Sequence, residues 1–210
     1  MVSSFRLVVL LAVIATGVQA QKYAEPSGET ASKFEVRGAT LFYNSDNVAD
    51  GAYAEIDGPD VAELQAHLRR NGNINTLQLT STGGLVWAGD EMAQVVMDFG
   101  LNTRVEGECS SSCVTIFLAG NTRELTRGSR IGFHQNSWSD AGMQSYFKQW
   151  RDDENWRTPF DFASWVYQDT QHETAAQIGY MIMRCVEPLF EVETKKYRPI
   201  MWFPSRLELQ

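Results

Sequence analysis

The sequence predicts an α/β fold, a mostly parallel sheet with helices packed around it and a helical region at the C-terminal side. Two observations predict it. From residue 39 onward, short apolar runs of strand character alternate with longer segments of helical period, the order from which parallel sheets are built. The residues with chemistry to offer, a glycine pair, a serine cluster and a histidine, each follow an apolar strand. Ligands sit at those carboxyl ends in open α/β sheets.

Each element has its own justification. Residues 39–44 and 52–58 read as short strands. The next segment carries Val61, Leu64 and Leu68 on one face, opens at Pro59-Asp60 and closes at Gly72, which predicts a helix. Residues 74–81 form a strand, 85–99 a helix stopped by Gly100, and 102–108 a further strand. Residues 113–120 read as a buried helix, and the run ending at His134 as another strand. Beyond Gln135 the character changes: Trp138, Trp150, Trp156 and Trp165 lie among tyrosines, phenylalanines and charges, and residues 142–151 and 160–186 look helical. So many aromatics either pack against one another or form an oligomer interface or substrate-facing wall. No internal repeat or low-complexity tract is visible.

The N-terminus has a separate role. Arg6 gives a short positive stretch, residues 7–15 are nearly all apolar, and Val18-Gln19-Ala20 offers small residues before a cut. This pattern predicts a secretory signal peptide over residues 1–20, cleaved after Ala20, and hence a periplasmic or secreted protein. The apolar run is short of the about 20 residues a membrane span requires, and no later stretch reaches that length, so no membrane span is expected in the mature chain. Residues 21–35 are polar and aperiodic, a flexible lead-in. Residues 36–210 then suffice for a single domain, with 136–186 as its aromatic-rich helical region.

Composition narrows the partners. Eighteen lysines and arginines face 26 aspartates and glutamates, a formal net charge of −8, and loss of the leader removes one more cation. That balance disfavours nucleic acid and anionic membrane surfaces. Three cysteines in an exported chain permit one disulfide. Cys109, Cys113 and the distant Cys185 match no zinc-ligand spacing, and no metal or other cofactor is expected. Cys109 and Cys113 flank the serine cluster and are the favoured pair, with Cys109 placed before the helix begins because a four-residue step inside a regular helix suits a disulfide poorly. Cys113–Cys185 is the alternative.

Three short segments carry the chemistry. Ser81-Thr82-Gly83-Gly84 ends a strand and opens a helix, and backbone N–H groups at such a junction can hold an oxyanion. Gly107 through Cys113 presents Ser110, Ser111 and Ser112 at a second strand-to-helix junction. Phe133-His134-Gln135 closes a further strand. Serine is a weak nucleophile until a base lies within hydrogen-bond reach, and a histidine, with a solution pKa of about 6.5, suits that task near neutrality. Serines also cap helices well, the plainer reading of the cluster. His67, beside Arg69 and Arg70, and His172, in a charged helix, read as solvated.

In this order the segments resemble the proteolytic-subunit family of the Clp protease and the wider ClpP/crotonase superfamily. The nearest likeness is to exported members with a C-x-S-x-C form of the serine motif, here Cys109, Ser111 and Cys113. In that family a strand ends in S-P-G-G, a G-x-x-x-S motif precedes an apolar helix ending in A-G, and a strand ends in I-H-Q. Here Ser81-Thr82-Gly83-Gly84, then Gly107, Ser111 and Ala119-Gly120, then Phe133-His134-Gln135 stand at matching intervals. The likeness spans roughly residues 40–137 and implies a superhelical fold of β-β-α units.

Carried over by position, the resemblance implies Ser111 as nucleophile, His134 as general base, and the N–H groups of Gly84 and Ser112 as the oxyanion hole. The family places an aspartate well after the histidine, and the corresponding C-terminal stretch has none. Glu193 is the first candidate for that acid, with Glu191 and Asp169 as alternatives. The implied function is an exported, ATP-independent serine peptidase or hydrolase acting on a peptide or protein substrate, assembled as a homo-oligomer. A catalytically inactive ClpP-like binding or assembly module is the alternative that the missing aspartate favours. A crotonase-type acyl-CoA enzyme would share the oxyanion hole, but the export signal and negative charge argue against it.

Overall fold

The computed structural model describes residues 31–135, 139–196, 198 and 200–209. The predicted signal peptide and most of the predicted lead-in lie outside the described residues, as does Trp138.

Among the described residues, six strands form one sheet. β1 (Phe34–Arg37) and β2 (Thr40–Asn44) make an antiparallel pair, and β3 (Thr76–Ser81) and β4 (Asn102–Ser110) continue from β2 in parallel. Helix α1 (Gly58–Arg70) connects β2 to β3, and α2 (Val86–Asp98) connects β3 to β4. β4 serves two further strands in succession. Its Thr103–Val105 half pairs with β5 (Arg123–Leu125), and its Glu108–Ser110 half pairs with β6 (Arg130–Gly132), both parallel. Between them α3 (Ser112–Leu118) leaves the end of β4. The α/β class with a mostly parallel sheet is therefore what the chain adopts.

The core follows from the alternation. Leu41, Leu77, Leu79 and Val105 are completely buried from the sheet, and Ile56, Leu64, Met92 and Ile116 meet them from the connecting segments. Each such side chain contributes about 1.5–3 kcal/mol of burial. Gly120 is held so close to Thr103 that any side chain there would collide with it, and the Thr103 hydroxyl donates to the Phe117 carbonyl at 2.6 Å. That contact seats α3 on β4.

Three differences from the sequence reading have physical causes. Residues 52–58 form no strand; only Ile56 bridges, to Gly84, and the next residue turns into α1, the Asp57 N–H donating to the Asp60 carboxylate. The first strand begins at Phe34, inside the segment read as lead-in, because that ring is buried against Tyr43. β5 is three charged or half-buried residues, too short to show alternation, and exists by pairing with β4.

The C-terminal region is helical: α4 (Asp140–Trp150), α5 (Pro159–Met183) and α6 (Pro188–Thr194). Trp156 and Phe162 are buried, with ring centroids 4.8 Å apart, and Tyr146 and Trp165 stack against Phe162. These aromatics pack against one another. Phe160 and Tyr167 on α5 remain exposed. No helix among the described residues is long and apolar enough to cross a membrane.

Candidate active site

The parallel register of β3 and β4 sets the site. Ser81 pairs with Cys109 after an irregularity at Leu79, so the turn beyond β3 lies beside the turn beyond β4. Gly83, at φ +107°, lies so close to Ser111 that an added β-carbon would be 2.6 Å from that of the serine. Gly84, at φ +157°, has no room for a side chain against the Ile56 backbone. The bridge to Ile56 is held by Ile56 N–H to Gly83 O and Leu85 N–H to Ile56 O, each 2.9 Å.

Ser111 stands between β4 and α3 at φ 55°, ψ −130°, a conformation that costs a non-glycine residue about 1–3 kcal/mol. The surroundings impose it. The Ser111 N–H donates to Gly132 O, and Ser111 O accepts from the Val114 N–H, both at 2.9 Å. Cys109, next to last in β4, and Cys113, in the first turn of α3, are joined by a disulfide across this residue. Cys185 is free and exposed.

His134 follows β6 and faces Ser111, with Nε2 2.7 Å from the serine Oγ. Its Nδ1 lies 2.7 Å from the Gln135 carbonyl oxygen. A carbonyl can only accept, so Nδ1 carries the proton and Nε2 offers its lone pair to the serine hydroxyl. The backbone of the preceding residue is fixed by a two-way bridge with Trp202, Phe133 N–H to Trp202 O and the reverse, both 2.8 Å. The rings of Phe133, Phe190 and Trp202 pack together around that bridge.

No carboxylate bonds to Nδ1 among the described residues. Glu193 is instead engaged by Arg198 and Lys196, and its pairing with these cations holds its carboxyl below the usual range. Glu191 is buried, neither oxygen having a hydrogen-bond partner, and Lys195 Nζ is 3.5 Å away. Burial pushes its carboxyl up. Asp169 lies in α5, and the two ring nitrogens of His134 bond instead to Gln135 and Ser111.

Gly84 follows Gly83 in the turn beyond β3, and Ser112 follows Ser111 at the start of α3. Neither backbone N–H has a protein acceptor outside its own element among the described residues. The Ser112 hydroxyl is buried and without a partner, while the Ser110 hydroxyl donates to Glu108 at 2.7 Å. Of the three clustered serines, only Ser111 meets a histidine.

Ser111 and His134 line a pocket of about 440 Å³. Its apolar wall includes Ala93, Met97, Val114 and Leu118, and Tyr180 and Met181 close it from α5. Asp90 and Glu173 also line it. Desolvation, reinforced by Glu173 and Glu91, raises the Asp90 carboxyl. His172, read as solvated, is exposed on this rim, and His67 is partly covered beside Phe34 with Glu63 3.7 Å away. No group of acidic, histidine and cysteine side chains suited to a metal exists among the described residues.

Two supports escaped the sequence reading. The Arg184 guanidinium donates to the carbonyls of Leu118, Ala119 and Gly120 at 2.9–3.0 Å, closing the C-terminal end of α3. The Gln135 side chain donates to the Lys195 carbonyl at the end of α6. Neither residue type signals such a role, because both contacts link positions some sixty residues apart.

Comparison with known proteins found no matching family model and no matching curated protein. Among solved structures, the chain is similar to a mutant of ClpP1 from Listeria monocytogenes, at 18% identity and a TM-score of 0.49, over 73% of this chain and 80% of that one.

Proposed function

We propose that this chain is an exported ClpP-like serine hydrolase, acting as an ATP-independent peptidase, with Ser111 as nucleophile and His134 as general base. The 2.7 Å approach of His134 Nε2 to Ser111 Oγ carries the reading. In this mechanism Oγ attacks the acyl carbon of a peptide while Nε2 takes its proton. The N–H groups of Gly84 and Ser112 receive the oxyanion, a type of contact worth about 10²–10³ in rate. The imidazolium then protonates the leaving amine, and water, activated by the same nitrogen, releases the acyl group. The motif order from Ser81 to Gln135 supports the ClpP-like assignment. The predicted leader and the Cys109–Cys113 bridge support export to the periplasm or beyond. Exposed Phe160 and Tyr167 on α5 suit assembly as a homo-oligomer.

Labelling with a fluorophosphonate probe tests this reading. The native protein should label on Ser111, and Ser111→Ala and His134→Ala should not; a folded native protein that fails to label refutes it. One observation favours a second reading, a catalytically inactive ClpP-like binding or assembly module. Glu193, the first choice for the third acid, is tied to Arg198 and Lys196. On that reading the folded protein stays unlabelled while the Ser111–His134 contact persists.

A further inference from the structure

We infer that Gln135 is the positioning residue for His134, its main-chain carbonyl standing where a third carboxylate would otherwise stand. This rests on the hydrolase reading for its catalytic meaning, but the positioning itself can be observed without turnover.

The contacts form a continuous chain. The Ser111 hydroxyl meets His134 Nε2, and His134 Nδ1 donates to the Gln135 main-chain oxygen, each at 2.7 Å. An acceptor one residue away would wander with the backbone unless that backbone were itself tied down. On one side it is tied by the Phe133–Trp202 bridge. On the other, the Gln135 side-chain amide donates to the Lys195 carbonyl. That carbonyl belongs to the cap of α6, where helix carbonyls lack intrahelical partners. Lys195 is immobilised in turn, its Nζ donating to Gln177 on α5 at 2.7 Å and lying 3.5 Å from buried Glu191. The imidazole is therefore anchored to two helices of the C-terminal region through one glutamine.

The chemistry of this arrangement differs from that of a carboxylate. A neutral carbonyl selects the tautomer as well as an acid does, but offers no negative charge to the imidazolium, and bonds to charged acceptors are roughly twice as strong. Orientation is what Gln135 supplies, so its loss should lower kcat and leave KM nearly unchanged.

The test uses the full chain with ¹⁵N-labelled histidine. Ring-nitrogen resonances report which nitrogen of His134 carries the proton when the ring is neutral. In the native protein the proton should reside on Nδ1. Gln135→Glu keeps the shape, removes the donor and sets a carboxylate against the Lys195 carbonyl; Gln135→Ala removes the tether without adding charge. In each folded variant the Nδ1–H form should give way to a mixture, and labelling of Ser111 should slow about 10- to 100-fold. A native His134 protonated on Nε2, or an Nδ1–H form unchanged in both variants, overturns the inference whatever the labelling rates. Should the native protein fail to label while the Nδ1–H form is present and lost in the variants, the positioning role stands and the hydrolase reading falls.

Discussion

Gly83 and Ser111 touch across the two turns that end β3 and β4, leaving no space between them for a methyl group. An alanine β-carbon at 83 would lie 2.6 Å from the Ser111 β-carbon and 2.8 Å from the Ser110 carbonyl, on a backbone at φ +107°. Gly83→Ala should therefore cost about 3 kcal/mol, from overpacking and backbone strain together. Because the serine must give way, labelling should fall by at least about 100-fold in molecules that still fold. Chemical denaturation and labelling, run in parallel, check both; native values in either would remove this contact from the account of the site.

Ser111 itself carries strain that a glycine would not. Its φ of 55° with ψ of −130° is imposed by the hydrogen bonds to Gly132 and Val114 and by the disulfide spanning it. Both Ser111→Gly and Ser111→Ala delete the hydroxyl, but only glycine relaxes the backbone. Ser111→Gly should be about 1 kcal/mol more stable than Ser111→Ala by urea unfolding, despite glycine's greater flexibility when unfolded. Equal stabilities would show that the conformation is not strained.

Arg184 holds the far end of the serine's helix. With three carbonyls of the 118–120 segment on its guanidinium, Arg184→Met should cost about 2 kcal/mol, the side chain being only half-buried. Arg184→Lys should recover less than half of that, because an ammonium cannot reproduce the planar fork. Thermal unfolding of the two variants distinguishes a directed contact from a mere positive charge.

Glu191 should make stability depend on pH. Burial raises its carboxyl above the ordinary value, so the folded chain keeps this proton at pH values where the unfolded chain has lost it. The folded state then binds more protons, and stability falls as pH rises through and above the usual carboxylate range. Glu191→Gln should flatten that slope, leaving stability near pH 4 little changed and raising it at pH 7. A melting series from pH 4 to 8 reads the difference, and a variant that is less stable than the native protein at pH 7 would mean that the Lys195 contact outweighs burial.

Much of this was legible in the sequence because it is local. Strand and helix periods between residues 39 and 135, the glycine pair after Ser81 and the cysteines four apart are short-range patterns, and the α/β class with its mostly parallel sheet followed from them. The isolated bridge at Ile56 imitated a strand because an apolar residue among alternating neighbours looks alike whether it pairs once or along its length. β5 and α6 were too short to show any period. The acid behind the histidine was sought among Glu193, Glu191 and Asp169, since chemistry expects a carboxylate there; the occupant is a main-chain carbonyl, which every residue possesses and no pattern marks.

The sequence by itself determined which elements form and which segment bears the serine, histidine and glycine turn, because hydrophobic period and turn chemistry act over a few residues. Only the tertiary structure decided that the Ser111 hydroxyl meets His134, that Gln135 ties the segment after β6 to the end of α6, and that Arg184 at the end of α5 closes α3. Those contacts join residues far apart in the chain, and their geometry exists only once the sheet register and the helix packing are in place.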